Sequence, residues 1–374
     1  MPDKNPEKMA RKFLEDCADC DICRYLMEDT SCLVFPELYR LYDREADNGN
    51  KATDEELKSL IELCSFCGLC PCPNIRSDIM KAKHAFISRD GLKPSIRFLE
   101  DVERVARVCG AYPRLTNMLL QSERTGGLLK MLAGIHPQRT VPDFPVESFP
   151  AWAKKQGLDV MRAKGERKVA FFAGCTGQYL FPQVPKAAVE VLRRNNVEVY
   201  FPEQKCCGMP SLLEGDRDLT FEFVKFNAGR LLEAVQAGYD IVCSCPTCGY
   251  MLKQVLFDDA LNSHDLDQPG TTIEEASSAP CATSHGKANR SSATRKPIEN
   301  LLKDEGYFAA ISARDRLDIA AHTYDLGEYL LKLHQAGALN TCFGPIAAPM
   351  AYYPPCHMRE QKIGQPYAEL LKLI

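Results

Sequence analysis

The sequence predicts an α + α/β architecture, in which an N-terminal all-helical unit is followed by a parallel-sheet α/β unit. Residues 1–100 show helical spacing of apolar residues and no alternating strand pattern. From residue 166 onward, short apolar segments that are typical of buried strands alternate with amphipathic helical segments. Strands separated by helices favour a parallel sheet with right-handed crossovers.

The composition is that of a globular protein and excludes several functional classes. The chain has 374 residues, 45% of them hydrophobic, and is long enough for two or three domains. A net charge of −4 gives no basic surface of the kind that nucleic-acid-binding proteins carry. The sequence shows no signal-peptide core and no run of the ~20 apolar residues that span a bilayer. We therefore expect a cytoplasmic protein, with peripheral contact at the cytoplasmic face of the membrane as an option.

Residues 1–100 form the predicted helical domain and carry two groups of cysteines. The helical segments read PEKMARKFLED, TDEELKSLIEL and IRSDIMKAKHAFIS, with Thr53 or Asp54 as the N-cap of the second. The first group consists of Cys17, Cys20, Cys23 and Cys32, and the second of Cys64, Cys67, Cys70 and Cys72. In a reducing compartment such dense cysteines indicate metal sites rather than disulfides.

Both groups contain the spacing Cys-x-x-Cys-x-x-Cys, which supplies three thiolates to one 4Fe–4S cubane from a single loop. In two-cluster ferredoxins, the fourth cysteine of each group binds the cluster of the other group. The predicted ligand sets are therefore Cys17, Cys20, Cys23 and Cys72 for the first cluster, and Cys64, Cys67, Cys70 and Cys32 for the second. The intervals before Cys32 and Cys72 differ from the usual three residues, so the assignment of these two stays open. Zinc is the alternative metal, but its four-cysteine sites normally use pairs of Cys-x-x-Cys.

Residues 101–165 are predicted to form a helical connector. Its segment 117–135 carries an apolar stripe that includes Met118, Leu128 and Leu132. Packing of this stripe on the protein's own core is the favoured interpretation. An amphipathic helix pair that faces a partner or a membrane surface is the alternative.

Residues 166–261 contain a third group of cysteines at the ends of predicted strands. The strands are KVAFFAG, VEVYF and DIVCS, each followed by a helical segment. Because ligands collect at the carboxyl edge of a parallel sheet, we expect the group to converge there. An adjacent pair of cysteines also suits an irregular cluster better than a cubane. The group consists of Cys175, Cys206, Cys207, Cys245 and Cys248, whereas Cys243 is expected to be a buried strand residue.

The order of Cys175, CCG at 206–208 and CPTC at 245–248 resembles the CCG domain of the heterodisulfide reductase B-type proteins and of glycolate oxidase iron–sulfur subunits. The two ferredoxin-type groups, the stretch QRTVPDFPVESFPAW and the strand end FFAGC further resemble the C subunits of anaerobic glycerol-3-phosphate dehydrogenases. The resemblance implies that the five cysteines of the third group bind a non-cubane 4Fe–4S cluster. Zinc is again the alternative metal.

The resemblance also predicts how the remaining residues are organised. Members of the family carry two CCG domains, and residues 301–374 resemble an incomplete second one, with Cys356 in place of its first cysteine. We expect the chain to be a fragment, with loss of the second site or its location on another polypeptide as alternatives. The preceding residues 262–300 are poor in large apolar side chains and are expected to be a disordered insert.

These patterns predict an electron-transfer subunit with no assigned catalytic residue. No dinucleotide or Walker fingerprint is present in the sequence, so the chain would receive electrons from a partner. The resemblance implies a flavin dehydrogenase of the glycerol-3-phosphate or 2-hydroxy acid type as one partner, and a quinone or another redox acceptor as the other. The alternative is a heterodisulfide or disulfide reductase that acts at the CCG cluster.

Overall fold

The computed structural model describes residues 5–18, 20–27, 30–70, 72, 74–162, 165–261, 308, 310–344 and 349–374. The expected insert at 262–300 lies outside these residues. The chain divides into two compact units. The first unit comprises Met1–Gly91, Leu212–Arg217 and Leu256–Leu317, and the second comprises Leu92–Ser211, Asp218–Val255 and Asp318–Ile374.

In the N-terminal part of the first unit, Met1–Gly91, the regular elements of the described residues are helices. They are α1 (Pro6–Ala18), α2 (Asp21–Met27), α3 (Val34–Asn48), α4 (Asp54–Glu62) and α5 (Asn74–Asp90). Thr53 is the N-cap of α4: its hydroxyl accepts a hydrogen bond from the N–H of Glu56, and the Glu56 carboxylate accepts one from the N–H of Thr53. Phe13, Leu14, Phe35 and Leu60 lie in the core between the helices.

The second unit begins with helices that bear an exposed apolar surface. These helices are α6 (Pro94–Leu99), α7 (Val102–Cys109), α8 (Pro113–Gln121), α9 (Glu123–Leu132) and α10 (Phe149–Lys155). On α8 and α9, Met118 is 61% exposed and Leu132 is 73% exposed. The expectation that this stripe packs on the protein's own core is therefore wrong. We call Met118, Leu128, Met131 and Leu132 the α8–α9 apolar patch.

A parallel four-stranded sheet forms the centre of the second unit. Its strands are β1 (Lys168–Phe172), β2 (Glu198–Tyr200), β3 (Asp240–Cys243) and β4 (Thr323–Asp325), and their order is β2-β1-β3-β4. In the register, Val169 pairs with Val199 and Asp240, and Val242 pairs with Tyr324. The helix-rich chain with its small parallel sheet has the α + α/β class that the sequence predicts.

The remaining helices follow or separate the strands along the chain and belong in part to the first unit. They are α11 (Gly174–Tyr179), α12 (Gln183–Arg194), α13 (Met209–Glu214), α14 (Arg217–Gln236), α15 (Pro246–Tyr250), a π-helical turn (Met251–Val255), α16 (Leu256–Leu261), α17 (Ala313–His322), α18 (Leu326–Gln335), α19 (Cys356–Glu360) and α20 (Pro366–Leu371). Phe149, Val189, Phe171 and Leu333 pack with other apolar side chains in the core of this sheet unit.

Two elements differ from the sequence-based expectation. The first three strands were predicted, whereas β4 was not. Conversely, the segment PMAYYP at 349–354 was expected to be a strand and has no regular structure. Pro349, Pro354 and Pro355 lack the N–H groups that a strand ladder requires, which explains the irregular backbone. Within the described ranges, no helix is both long enough and apolar enough to cross a lipid bilayer.

Candidate metal centres

The cysteines of the third group lie beyond the carboxyl ends of the first three strands. Cys175 lies in α11, directly after β1, and the pair Cys206 and Cys207 occupies the loop after β2. Cys245 is the N-cap of α15, and Cys248 lies within that helix. The parallel pairing of β2, β1 and β3 brings these segments to one edge of the sheet.

The five thiols of the third group form a continuous row. The Sγ atoms of Cys175 and Cys206 are 3.3 Å apart. Side-chain contacts then join Cys206 to Cys207, Cys207 to Cys248, and Cys248 to Cys245. All except the partly exposed Cys245 are buried. In the described ranges, no three Cys, His, Asp or Glu side chains are arranged as ligands of one metal ion.

Contacts between neighbouring thiols shift their pKa values in opposite directions. The hydrogen bond to Cys206, followed by burial, raises the pKa of Cys175. Hydrogen bonding with Cys175 and Cys207 lowers the pKa of Cys206. At the other end of the row, the hydrogen bond with Cys248 lowers the pKa of Cys245 to about 6. The row thus favours thiolates at two positions beside thiols that hydrogen bonding to their neighbours, followed by burial, keeps protonated.

This set of donors fits a soft polynuclear centre. Full deprotonation of the row would bury several like charges, which a thiophilic cation must compensate. Five thiolates exceed the four positions of a tetrahedral zinc ion. Thiolate donors also do not suit hard cations such as Mg²⁺ or Ca²⁺, which take oxygen ligands. The residues present therefore fit an iron–sulfur cluster.

Two buried amides, which the sequence analysis did not identify, fix the loops that carry the row. Gln204 Oε1 accepts hydrogen bonds from the N–H groups of Ala173 (2.8 Å) and Gly174 (3.3 Å), and its Nε2 donates to Phe171 O at 3.0 Å. Asn227 Nδ2 donates to Cys206 O at 2.8 Å, while its Oδ1 accepts from the N–H of Lys205. The strand end before Cys175 and the loop before Cys206 are thereby held in place.

Gly174 is a third residue that the sequence analysis missed. Its φ of +71° lies in the left-handed region, and a Cβ at this position would meet Cys248 Sγ at 2.7 Å. Only glycine therefore allows the turn after β1 to approach the thiol. A glycine directly between a buried strand and a cysteine is the signal that could have identified it.

The C-terminal segment packs against the helix that carries Cys248. His357 stacks on Tyr250 with ring centroids 5.0 Å apart, and its Nδ1 lies 3.0 Å from Thr247 Oγ1. Gln361 Nε2 donates to Pro246 O at 2.9 Å. The segment around Cys356 therefore covers α15. As expected, Cys243 is a fully buried residue at the end of β3.

The fourth cysteine of each group acts electrostatically on thiols of the other group. Cys72 is among the thiols that act on Cys17 and Cys23 of the first group. Cys32 is among those that act on Cys64 and Cys70 of the second group. The two ligand sets themselves stay a prediction.

Burial raises the thiol pKa values in both groups. Burial is the main cause in each case; it raises the pKa of Cys23 to about 11 and that of Cys70 to about 12. It also raises the pKa of Cys17 and Cys64. The loop of the second group turns through Phe66 and Gly68, both with positive φ. Because a buried phenylalanine rarely adopts this backbone, the tight loop stores strain that surrounding packing must offset.

Comparison with known proteins agrees with the motif at the sheet edge. Residues 169–253 match the family model of the cysteine-rich CCG domain. This range contains all five cysteines of the row, and the resemblance that the sequence indicated is confirmed. No solved structure matches the chain.

Three curated relatives share part of the sequence. The C subunit of the anaerobic glycerol-3-phosphate dehydrogenase of Escherichia coli (strain K12) is 27% identical over 168 residues, which cover 44% of this chain and 42% of the relative. The B subunit of the fumarate reductase (CoM/CoB) of Methanothermobacter marburgensis is 39% identical over 23% of this chain and 17% of the relative. Lactate utilization protein A 2 of Bacillus cereus (strain AH820) is 35% identical over 23% of this chain and 34% of the relative. The chain thus spans less than half the length of each of these relatives.

Proposed function

We propose that the chain is an iron–sulfur electron-transfer subunit of an oxidoreductase complex. The row of five thiols at the carboxyl edge of the sheet carries this proposal, because it combines the donor set of a polynuclear thiolate centre with a match to the CCG domain. Two of the relatives are named as subunits of a dehydrogenase and of a reductase, which supports a role beside a partner enzyme.

Three sets of cysteines would hold the clusters. Cys175, Cys206, Cys207, Cys245 and Cys248 would hold a non-cubane 4Fe–4S cluster. Cys17, Cys20, Cys23 and Cys72 would hold one cubane, and Cys64, Cys67, Cys70 and Cys32 the other. The electrostatic action of Cys72 on Cys17 and of Cys32 on Cys70 supports these two sets. When bound, such clusters accept and release single electrons without a nucleotide.

The proposed partners are a flavin dehydrogenase of the glycerol-3-phosphate or 2-hydroxy acid type and a quinone or another redox acceptor. A quinone would be reached at a membrane surface, on the cytoplasmic face. The α8–α9 apolar patch supports such a peripheral contact, because the same two helices also carry the exposed cations Arg114 and Arg124. Apolar side chains flanked by basic ones suit an anionic bilayer surface.

The electron-transfer function can be tested with artificial donors and acceptors. Anaerobically purified protein, reduced with dithionite, should pass electrons to menadione as a quinone probe. A Cys206→Ser/Cys245→Ser variant should lose iron from the third group and transfer more slowly. Equal rates for the variant and the wild type would contradict a role of the row in transfer. A sustained reduction of an organic disulfide by reduced viologen, without a dehydrogenase, would instead identify a catalytic disulfide reductase.

A further inference from the structure

Two buried cations lie beside the second group of cysteines, and both belong to α5. Lys83 is 7% exposed, and its Nζ donates hydrogen bonds to Cys64 O at 2.8 Å and to Leu213 O at 2.9 Å. Arg76 is 9% exposed, and its guanidinium lies 5.3 Å from the ring centroid of Phe66, within the loop of the second group. Their charges act on the thiols of Cys64 and Cys70, respectively.

The first group has charged neighbours of the opposite sign. Asp16 and Asp78 act on the thiol of Cys17. Both side chains are exposed, and Lys12 and Lys81 partly offset the charge of Asp78. The electrostatic surroundings of the two groups are therefore unequal, with buried positive charge at the second group and exposed negative charge at the first.

Burial determines which of these charges has the larger effect. Water screens exposed carboxylates, whereas a cation in a low-dielectric interior acts strongly on a neighbouring charge. Burial lowers the pKa of Lys83, whereas the negative charges of Cys64, Glu214 and Glu62 raise it and favour the charged form. Both glutamates are exposed. Reduction adds one negative charge to a thiolate-bound cluster, and a nearby buried cation stabilises that reduced state.

We propose that Lys83 and Arg76 raise the reduction potential of a cluster bound by the second group above that of a cluster bound by the first group. This inference rests on the proposed function. With both clusters bound, this difference in potential would favour transfer of one electron from the cluster of the first group to that of the second, which would oxidise the first and reduce the second with no proton transferred. Lys83 and Arg76 would act as positioning residues that stabilise the reduced state of the second.

The test is a potentiometric titration of the full-length protein, purified without oxygen and followed by electron paramagnetic resonance with dithionite and mediator dyes. The wild type should show two cubane signals of different potential. In Lys83→Gln the higher potential should fall by at least 59 mV, which corresponds to a tenfold change in the equilibrium constant for one electron. The lower potential should stay unchanged. Lys83→Arg keeps the charge and should restore most of the difference.

Further variants separate charge from structure. Arg76→Gln should lower the same potential, which keeps the test valid if Lys83→Gln loses a cluster, and Arg76→Lys should restore it. Lys51→Gln removes an exposed cation of the same unit and should change neither potential. The inference would be overturned if Lys83→Gln and Arg76→Gln kept their full iron content and showed unchanged potentials. It would also be overturned if only the lower potential shifted. Absence of iron and sulfide from the wild type would overturn the proposed function as well, so the two failures are distinguishable.

Discussion

Gln204 Oε1 accepts a hydrogen bond from the backbone N–H of Ala173 at 2.8 Å. This bond joins the end of β1, which leads to Cys175, to the loop that leads to Cys206 and Cys207. Both residues are buried, so water cannot replace the bond if the amide is removed. The position of two segments of the thiol row therefore depends on one side-chain amide.

We predict that Gln204→Leu destabilises the sheet unit by about 1–3 kcal/mol, because it leaves buried N–H and C=O groups without partners. Chemical denaturation followed by circular dichroism measures this change. Gln183→Leu alters an exposed glutamine of α12 and should have little effect. Equal stability of the two variants would show that Gln204 does not fix the loops.

Gly174→Ala should remove iron from the third group. The added Cβ would meet Cys248 Sγ at 2.7 Å, so the turn or the thiol must move. Gly337→Ala is a matched control, since this glycine has a similar φ of +66° but nothing within 4 Å of the added Cβ. Because a positive φ strains the backbone of alanine, both variants should lose about 1–3 kcal/mol of stability. Only Gly174→Ala should lower the iron content, and an equal loss in both would contradict the steric explanation.

Asp325 should make the stability of the protein depend on pH. Its side chain is the buried N-cap of α18, and burial raises its pKa from 3.8 to about 6. The folded protein therefore keeps a proton that the unfolded chain releases, and this contribution to stability is lost as the pH rises from about 4 through 6. Asp325→Asn should increase the stability at pH 7.5 by about 1–3 kcal/mol relative to the wild type.

The gain from Asp325→Asn should shrink towards zero as the pH falls below 3.8, the pKa of the carboxyl in the unfolded chain, because the wild-type carboxyl is then protonated in both states. Thermal unfolding at a series of pH values measures the difference. Asp159→Asn, which changes an exposed acid, serves as the comparison. A gain that is independent of pH would contradict a raised pKa of Asp325.

Leu128→Glu/Leu132→Glu should weaken binding to anionic lipid vesicles at least about tenfold, because insertion of the α8–α9 apolar patch would then bury two carboxylates. Co-sedimentation with phosphatidylglycerol vesicles measures the binding. Val160→Glu also places a charge at an exposed apolar side chain, outside the patch, and should bind as the wild type does. Deletion of residues 117–135 with unchanged binding would refute a membrane role for the patch.

The structural elements that could be predicted from the sequence are those that short residue patterns indicate. The N-cap at Thr53, the strands β1 to β3 and the convergence of Cys175 with Cys206 at the sheet edge follow from short patterns and from parallel topology. The strand β4 was missed because its three residues stand directly between two helices, without the flanking apolar residues that indicate β2. The apolar spacing of α8 and α9 predicts an apolar face but not whether the protein itself covers it.

The supporting residues of the thiol row could not be predicted in the same way. Gln204 and Asn227 act through hydrogen bonds to backbone groups, which no residue spacing encodes. The cations Lys83 and Arg76 belong to a helix whose apolar pattern does not distinguish them from its exposed Arg89. Their burial beside the second group depends on tertiary packing.

The iron, acid-labile sulfide and zinc contents of the anaerobically purified protein test the central claim most directly. Three four-iron clusters predict about twelve irons and about as many sulfides per chain, with little zinc. Iron and sulfide near zero, with stoichiometric zinc bound to the cysteines, would contradict the proposed function.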